Sequence, residues 1–344
     1  MPSKAPSRWT GPLPPFFLLV LVWGLLFLWS GCASYLASPT GKRGGLSKDF
    51  LVWTVKPGQT LASIAEEVYA SSSQAWIIAD FNEVSRAEPG EVLLLPLSPF
   101  QKGGLQQKGF QTVPVLTYHK FSRSQSDAMT VRKANFEKQM AYLHSHGYRV
   151  ISLQSFYDFL HYRVQIPERS VVLTIDDGWR STYSIAWPIL KNFGYPATLF
   201  LYTDLVTGTL TTLDWDQLRE MQEEGLDIQC HTKTHRDLNR IGPQETFTAY
   251  FAAVKEELEH STASLEEHLQ IEPSYLAYPY GETNDLVIAM LQRLGYQGGM
   301  TVQRGSNAFD ANPYRVKRSM IYGSFSLTDF ERNLQTFEPY APSP

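Results

Sequence analysis

The run Ser170-Val171-Val172-Leu173-Thr174-Ile175 constrains the fold most, because six residues of buried-strand character stop abruptly on Asp176-Asp177-Gly178. Near-continuous apolar strands of this kind belong to parallel sheets covered by helices. Comparable runs lie at 113–119, 197–202, 226–230, 275–277 and 295–302, with helical periodicity between them. Phe136, Met140 and Leu143 recur at helical spacing, as do Phe247, Phe251, Val254 and Leu258, and then Leu286, Val287, Met290, Leu291 and Leu294. Strands alternating with helices predict an α/β domain over 113–333, either a largely parallel sheet or a β/α barrel. Its chemistry should sit at the C-terminal ends of the strands.

Two clusters follow strands as that rule requires. Asp176 and Asp177 place two carboxylates side by side at a strand mouth, which turn formation alone does not need. His231-Thr232-Lys233-Thr234-His235 puts two imidazoles four residues apart just past the strand that ends at Cys230. Two histidines and one carboxylate form a three-ligand site with positions left open, the pattern of a catalytic metal, and the spare aspartate can act as a base.

These words, together with Leu238 and Ala277-Tyr278-Pro279-Tyr280-Gly281, stand in the order and spacing of the NodB-type polysaccharide deacetylases, carbohydrate esterase family 4, which the chain resembles over about 113–330. The resemblance implies a distorted (β/α) barrel that removes N-acetyl groups from sugars with one divalent metal. Zn²⁺ comes first, with Co²⁺, Ni²⁺ or Fe²⁺ as other candidates for the same oxygen and imidazole ligands. It further implies that Asp177, His231 and His235 hold the metal, that Asp176 is the general base, and that the Tyr280 N–H stabilises the oxyanion. The usual late Leu-x-His acid is absent, since no histidine follows His268. His119, closing Val115-Leu116-Thr117-Tyr118-His119, takes that role by resemblance to a circularly permuted subgroup that includes poly-N-acetylglucosamine deacetylases. The arginine that many members carry before the Pro-Tyr-Gly loop is also missing, leaving Arg318 or Arg304 to orient the base. Trp215 and Tyr278 are expected to line the sugar site.

Upstream, 49–97 reads as strand, two helices and strand, with Trp53-Thr54-Val55-Lys56-Pro57-Gly58-Gln59-Thr60-Leu61 and Pro89-Gly90-Glu91-Val92-Leu93 resembling a LysM module. The resemblance implies a groove for N-acetylglucosamine glycans, with Gly58, Gln59 and Thr60 on its wall. Residues 32–48 and 98–112 read as tether and linker, and 334–344 as a tail. The start is a basic segment followed by an apolar run of 14 residues, Phe16 to Trp29. A membrane span needs about 20, so this is the core of an export signal over 1–31. It ends on Leu28-Trp29-Ser30-Gly31-Cys32, which resembles a bacterial lipoprotein cleavage site with Cys32 as the lipidated residue. The other reading is a signal anchor, and both place the folded parts outside the cytoplasm. Ala33 after the cysteine points to the outer membrane or the periplasmic face of the envelope.

A formal charge of −4, without a basic stripe, argues against nucleic acid as a partner. Two cysteines exclude a disulfide scaffold. The partners expected are a glycan containing N-acetylglucosamine and, through lipid, a membrane; the sequence is silent on oligomeric state. Two functions from different classes remain: a deacetylase acting on peptidoglycan or poly-N-acetylglucosamine, or an inactive envelope lipoprotein that binds glycan through its first module.

Overall fold

The computed structural model describes residues 44–47, 50–97, 104–106 and 108–340. Cys32 and the signal segment lie outside them. Among the described residues, no helix is long and apolar enough to cross a membrane. Contacts divide the chain into two compact units, one of which holds most of the small upstream sheet and the other Ala79–Val84 with everything from Pro96 onward.

The small unit has strands β1 (Gly44–Ser47), β2 (Phe50–Thr54) and β3 (Val92–Pro96), paired in that order, helix α1 (Leu61–Tyr69) and the first half of α2 (Ala75–Asn82). Trp53, Ile64, Ala65, Ile78 and Leu95 form its core. Part of the expected tether is therefore a strand. Gly58 turns the chain with φ +82°. Gln59 accepts hydrogen bonds from Trp53 Nε1 and the Lys56 N–H, and Thr60 caps α1 reciprocally with Ser63. The side chains of Gln59 and Thr60 thus shape the turn.

The large unit is built on a curled sheet. Strands β4 (Gly109–Tyr118), β5 (Ser170–Asp177), β6 (Thr198–Leu201), β7 (Asp227–Cys230), β8 (Tyr275–Ala277) and β9 (Gly298–Met300) are parallel neighbours in that order. Helices α3 (Lys133–Ser145), α4 (Leu153–Leu160), α5 (Trp187–Phe193), α6 (Trp215–Glu223), α7 (Phe247–Leu269) and α8 (Asp285–Arg293) come between or beside them. After β9, β10 (Ser306–Ala308) runs antiparallel to β4, and Val316 bridges Met300 of β9. Ser319 and Met320 then pair with Leu116 and Thr117 of β4. One short segment thereby ties both edges of the sheet, as in a distorted barrel.

Strand alternation sorts the core into two layers. Leu116, Leu173, Ile175, Leu199 and Leu201 face the helices. Val113, Val115, Val172, Phe200 and Met300 pack with Phe156 and Tyr157 of α4 in a separate cluster. On β5 the second face continues through Thr174 to Asp176, which are both buried. That places a carboxylate where a barrel interior would ordinarily take an aliphatic residue.

Several boundaries differ from the sequence expectation. The first long strand starts at Gly109, and Leu105–Gln106 pairs antiparallel with it, so half of the expected linker is a hairpin. Phe337–Pro339 pairs with the same strand, so the expected tail contributes an edge. These pieces are two or three residues long, without the apolar run that marks a central strand. On α7 the buried face is Tyr250, Val254, Leu258, Leu265 and Leu269, while Phe247 and Phe251 are exposed.

Candidate active site

Register brings the chemistry together. Tyr118 pairs with Ile175, so His119 and Asp176 follow on adjacent strand ends. Leu201 pairs with Asp177 on one side and Cys230 on the other, so His231 emerges beside Asp177. Alternation would turn Asp177 away from Asp176 toward the helices. Its backbone instead adopts φ +82°, which re-aims the carboxylate at the two histidines. Thr232, His235 and Tyr280 also have positive φ, at 73°, 64° and 60°. Such clustering of strained non-glycine residues is a mark of a functional site.

Asp177 Oδ1 lies 3.7 Å from Nε2 of both His231 and His235. Among the described residues, these three form the group whose ligand atoms converge, all within 4.8 Å of one another. His231 Nδ1 lies 2.7 Å from the Ala277 carbonyl, which can only accept, so Nδ1 carries the proton and Nε2 keeps its lone pair toward Asp177. Burial pushes the His231 imidazole down to about 4, against the pull of Asp176 and Asp177, so the ring is neutral near pH 7. Asp177 Oδ2 accepts from Trp179 Nε1 at 2.7 Å, and Lys120 Nζ sits 3.8 Å over the Trp179 ring. A neutral His231 held by a carbonyl bond, a second imidazole beside it and one hydrogen-bonded carboxylate fit a divalent cation.

Asp176 has a different partner. Arg318 donates from Nη1 and Nη2 to its two oxygens at 2.7 and 2.8 Å, and from Nε to the Thr301 carbonyl. Burial raises the carboxyl pKa, but Arg318, with His231 and His119, outweighs this and holds it below the usual range. Arg304 turns elsewhere, to Asn333 and the Met320 carbonyl. His119 lies among Asp176, Asp177, Arg318 and His235; burial lowers its pKa against the pull of the two aspartates.

Tyr280 reaches the cluster from the β8 side. Its ring is exposed and meets His235 edge to face at 4.8 Å. The loop approaches so closely that a Cβ on Gly281, itself at φ +78°, would fall 2.5 Å from the Val302 nitrogen. Tyr278, expected against the sugar, is fully buried and donates its hydroxyl to the Tyr314 carbonyl over Gly299. It cannot touch substrate. Trp215 packs among the helices, edge to face with His268 at 4.2 Å. Sequence reasoning did not find Trp179, although it directly follows the Asp-Asp-Gly word, or Glu257, whose carboxylate accepts from the backbone of the His231–His235 turn.

A held carboxylate beside a two-histidine, one-carboxylate cluster, at the open ends of parallel strands, is the constellation of a hydrolytic enzyme. The polysaccharide deacetylase family profile matches residues 163–299. Over 197 residues the chain is 30% identical to the poly-beta-1,6-N-acetyl-D-glucosamine N-deacetylase of Staphylococcus epidermidis, across 56% of this chain and 68% of that one. YxkH of Bacillus subtilis is 27% identical over 226 residues, 66% of this chain and 77% of its own. The solved Streptococcus pyogenes deacetylase PplD, in complex with acetate, aligns with TM-score 0.58 at 25% identity, covering 65% of this chain and 98% of that one. The chain belongs to the polysaccharide deacetylase family.

Proposed function

We propose that the protein hydrolyses N-acetyl groups from an envelope glycan containing N-acetylglucosamine. The observation that carries this is the pairing of Asp176, oriented by Arg318, with the Asp177, His231 and His235 cluster. Asp177, His231 and His235 would hold a divalent ion, which when bound would supply Lewis acidity to the site. Asp176 accepts the proton of the attacking water, and its low pKa keeps it ionised for that task. The Tyr280 N–H faces the developing oxyanion. His119, on the opposite side of Asp177 in the strand order, gives up a proton to the departing amine from its imidazolium form, since the amine is a poor leaving group otherwise. Zn²⁺ is the ion we favour, with Co²⁺, Ni²⁺ and Fe²⁺ as substitutes.

The name of the Staphylococcus epidermidis relative supports poly-β-1,6-N-acetylglucosamine as a substrate. The strand-helix-helix-strand order of the small unit supports a LysM module that holds peptidoglycan, with Gly58, Gln59 and Thr60 at its turn. Cys32 is proposed as the lipid anchor at the outer membrane or the periplasmic face. Acetate release from each polymer is the test. It should stop in Asp176→Asn and in chelator; full activity in either one rejects the proposal.

A further inference from the structure

The turn carrying His231 and His235 has little structure of its own and two non-glycine residues at positive φ, Thr232 and His235. Such a conformation persists only where its surroundings over-determine it. On the sheet side, the Thr203 and Asp204 N–H groups donate to the carbonyls of Thr232 and Lys233 at 3.1 and 2.9 Å. On the helix side Glu256 of α7 takes the Lys233 ammonium, and its neighbour Glu257 takes the backbone of the turn. Glu257 Oε2 accepts from the N–H groups of Lys233 (3.0 Å) and Thr234 (2.8 Å), and its Oε1 from the Thr234 hydroxyl (2.5 Å).

Glu257 is only 6% exposed. A buried carboxylate is tolerated when hydrogen bonds satisfy it, and here the donors all come from Lys233 and Thr234, two of the three residues between the imidazoles. Packing does not call for an acid: Val254, Leu258 and Ser261 share the buried face of the helix.

We propose that Glu257 is a positioning residue for the metal site, fixing the His231–His235 turn in its ligating shape before the ion arrives. The idea rests on the metal reading above and extends it to a residue that touches neither ion nor substrate. Without the carboxylate, the Lys233 and Thr234 N–H groups lose their acceptor, and metal binding must itself order the turn. The His231 ring keeps its bond to Ala277, so the loss should fall mainly on the placement of His235.

The test is Zn²⁺ affinity of the purified, metal-free full chain by competition with a chromophoric chelator, with the Co²⁺ visible spectrum as a report on ligand geometry. Glu257→Ala should weaken Zn²⁺ binding about 10- to 100-fold, the range seen when groups supporting metal ligands are removed, and change the Co²⁺ spectrum. Glu257→Gln keeps one acceptor oxygen and should fall between the two. Cooperative thermal melting of each metal-free variant establishes that it folds. If Glu257→Ala does not fold, Glu257→Gln and Thr234→Val, which removes only the hydroxyl bond, decide, and each should show weaker binding. Unchanged affinity and spectrum in the folded variants overturns the proposal while leaving the metal reading intact. A wild-type chain that binds no metal overturns both.

Discussion

Arg318 grips Asp176 through two parallel hydrogen bonds of 2.7 and 2.8 Å, although 142 positions separate them in sequence. Both side chains are essentially inaccessible, at 0% and 2% exposure. The bond exists because the segment that ties the two edges of the sheet carries Arg318 into the interior beside the end of β5. A planar fork fixes the carboxylate plane as well as its charge, which a lysine could not do.

Arg318→Met should therefore act on both stability and chemistry. Leaving a buried carboxylate unpaired costs about 3–5 kcal/mol, to be read from urea unfolding. The Asp176 pKa should rise once its main counter-charge is gone, so the acidic limb of the pH–rate profile should move upward. An unmoved limb in folded protein would show that Arg318 does not tune the base.

Asp176→Asn and His235→Ala should separate base from ligand. The first should abolish acetate release while the chain still binds one Zn²⁺ per molecule; the second should lose stoichiometric metal as well. Metal analysis after gel filtration checks both. Equal metal content in the two variants would contradict the assignment.

The strand-to-helix alternation and the post-strand position of both motifs were legible because each rests on a local pattern, an apolar run followed by charged or imidazole side chains. What sequence could not rank was tertiary reach. Arg318 and Arg304 were equal candidates until the closing segment put one inside and one at the rim. Glu257 reads as one more acid on a helix with many, and only the inward rotation of α7 reveals its role. Tyr278 directly precedes the Pro279-Tyr280-Gly281 loop, yet it is buried with its hydroxyl over Gly299, a placement that no local pattern signals.

His119→Gln should lower kcat on N-acetylated glycan by about 10²–10⁴, the usual worth of a positioned acid. An aryl acetate, whose leaving group needs no proton, should suffer far less. Equal losses on both substrates would remove His119 from the acid role.

Gly281→Ala should disturb the Tyr280 loop without touching any ligand. The new Cβ would meet the Val302 backbone at 2.5 Å in a left-handed conformation, so the loop must shift. If the Tyr280 N–H serves the oxyanion, kcat should fall about 10²–10³-fold with little change in KM. Zn²⁺ affinity should stay within a few-fold of wild type. A fall in metal affinity instead would place the loop's effect on His235, whose ring Tyr280 contacts.

Acid should destabilise the metal-free protein through its buried histidines. His231 is neutral in the fold, with its pKa pushed from 6.5 to about 4 chiefly by burial. Once unfolded it binds a proton below about pH 6.5, so the unfolded chain carries more protons in this window. Its contribution to stability is therefore present above pH 6.5 and is lost as pH falls toward 4. His119, also lowered by burial, adds in the same direction. Urea unfolding of the metal-free chain from pH 7 to 4 checks the slope. In His231→Asn, which cannot titrate, the slope over that window should shrink; an undiminished slope would assign the acid sensitivity to other groups.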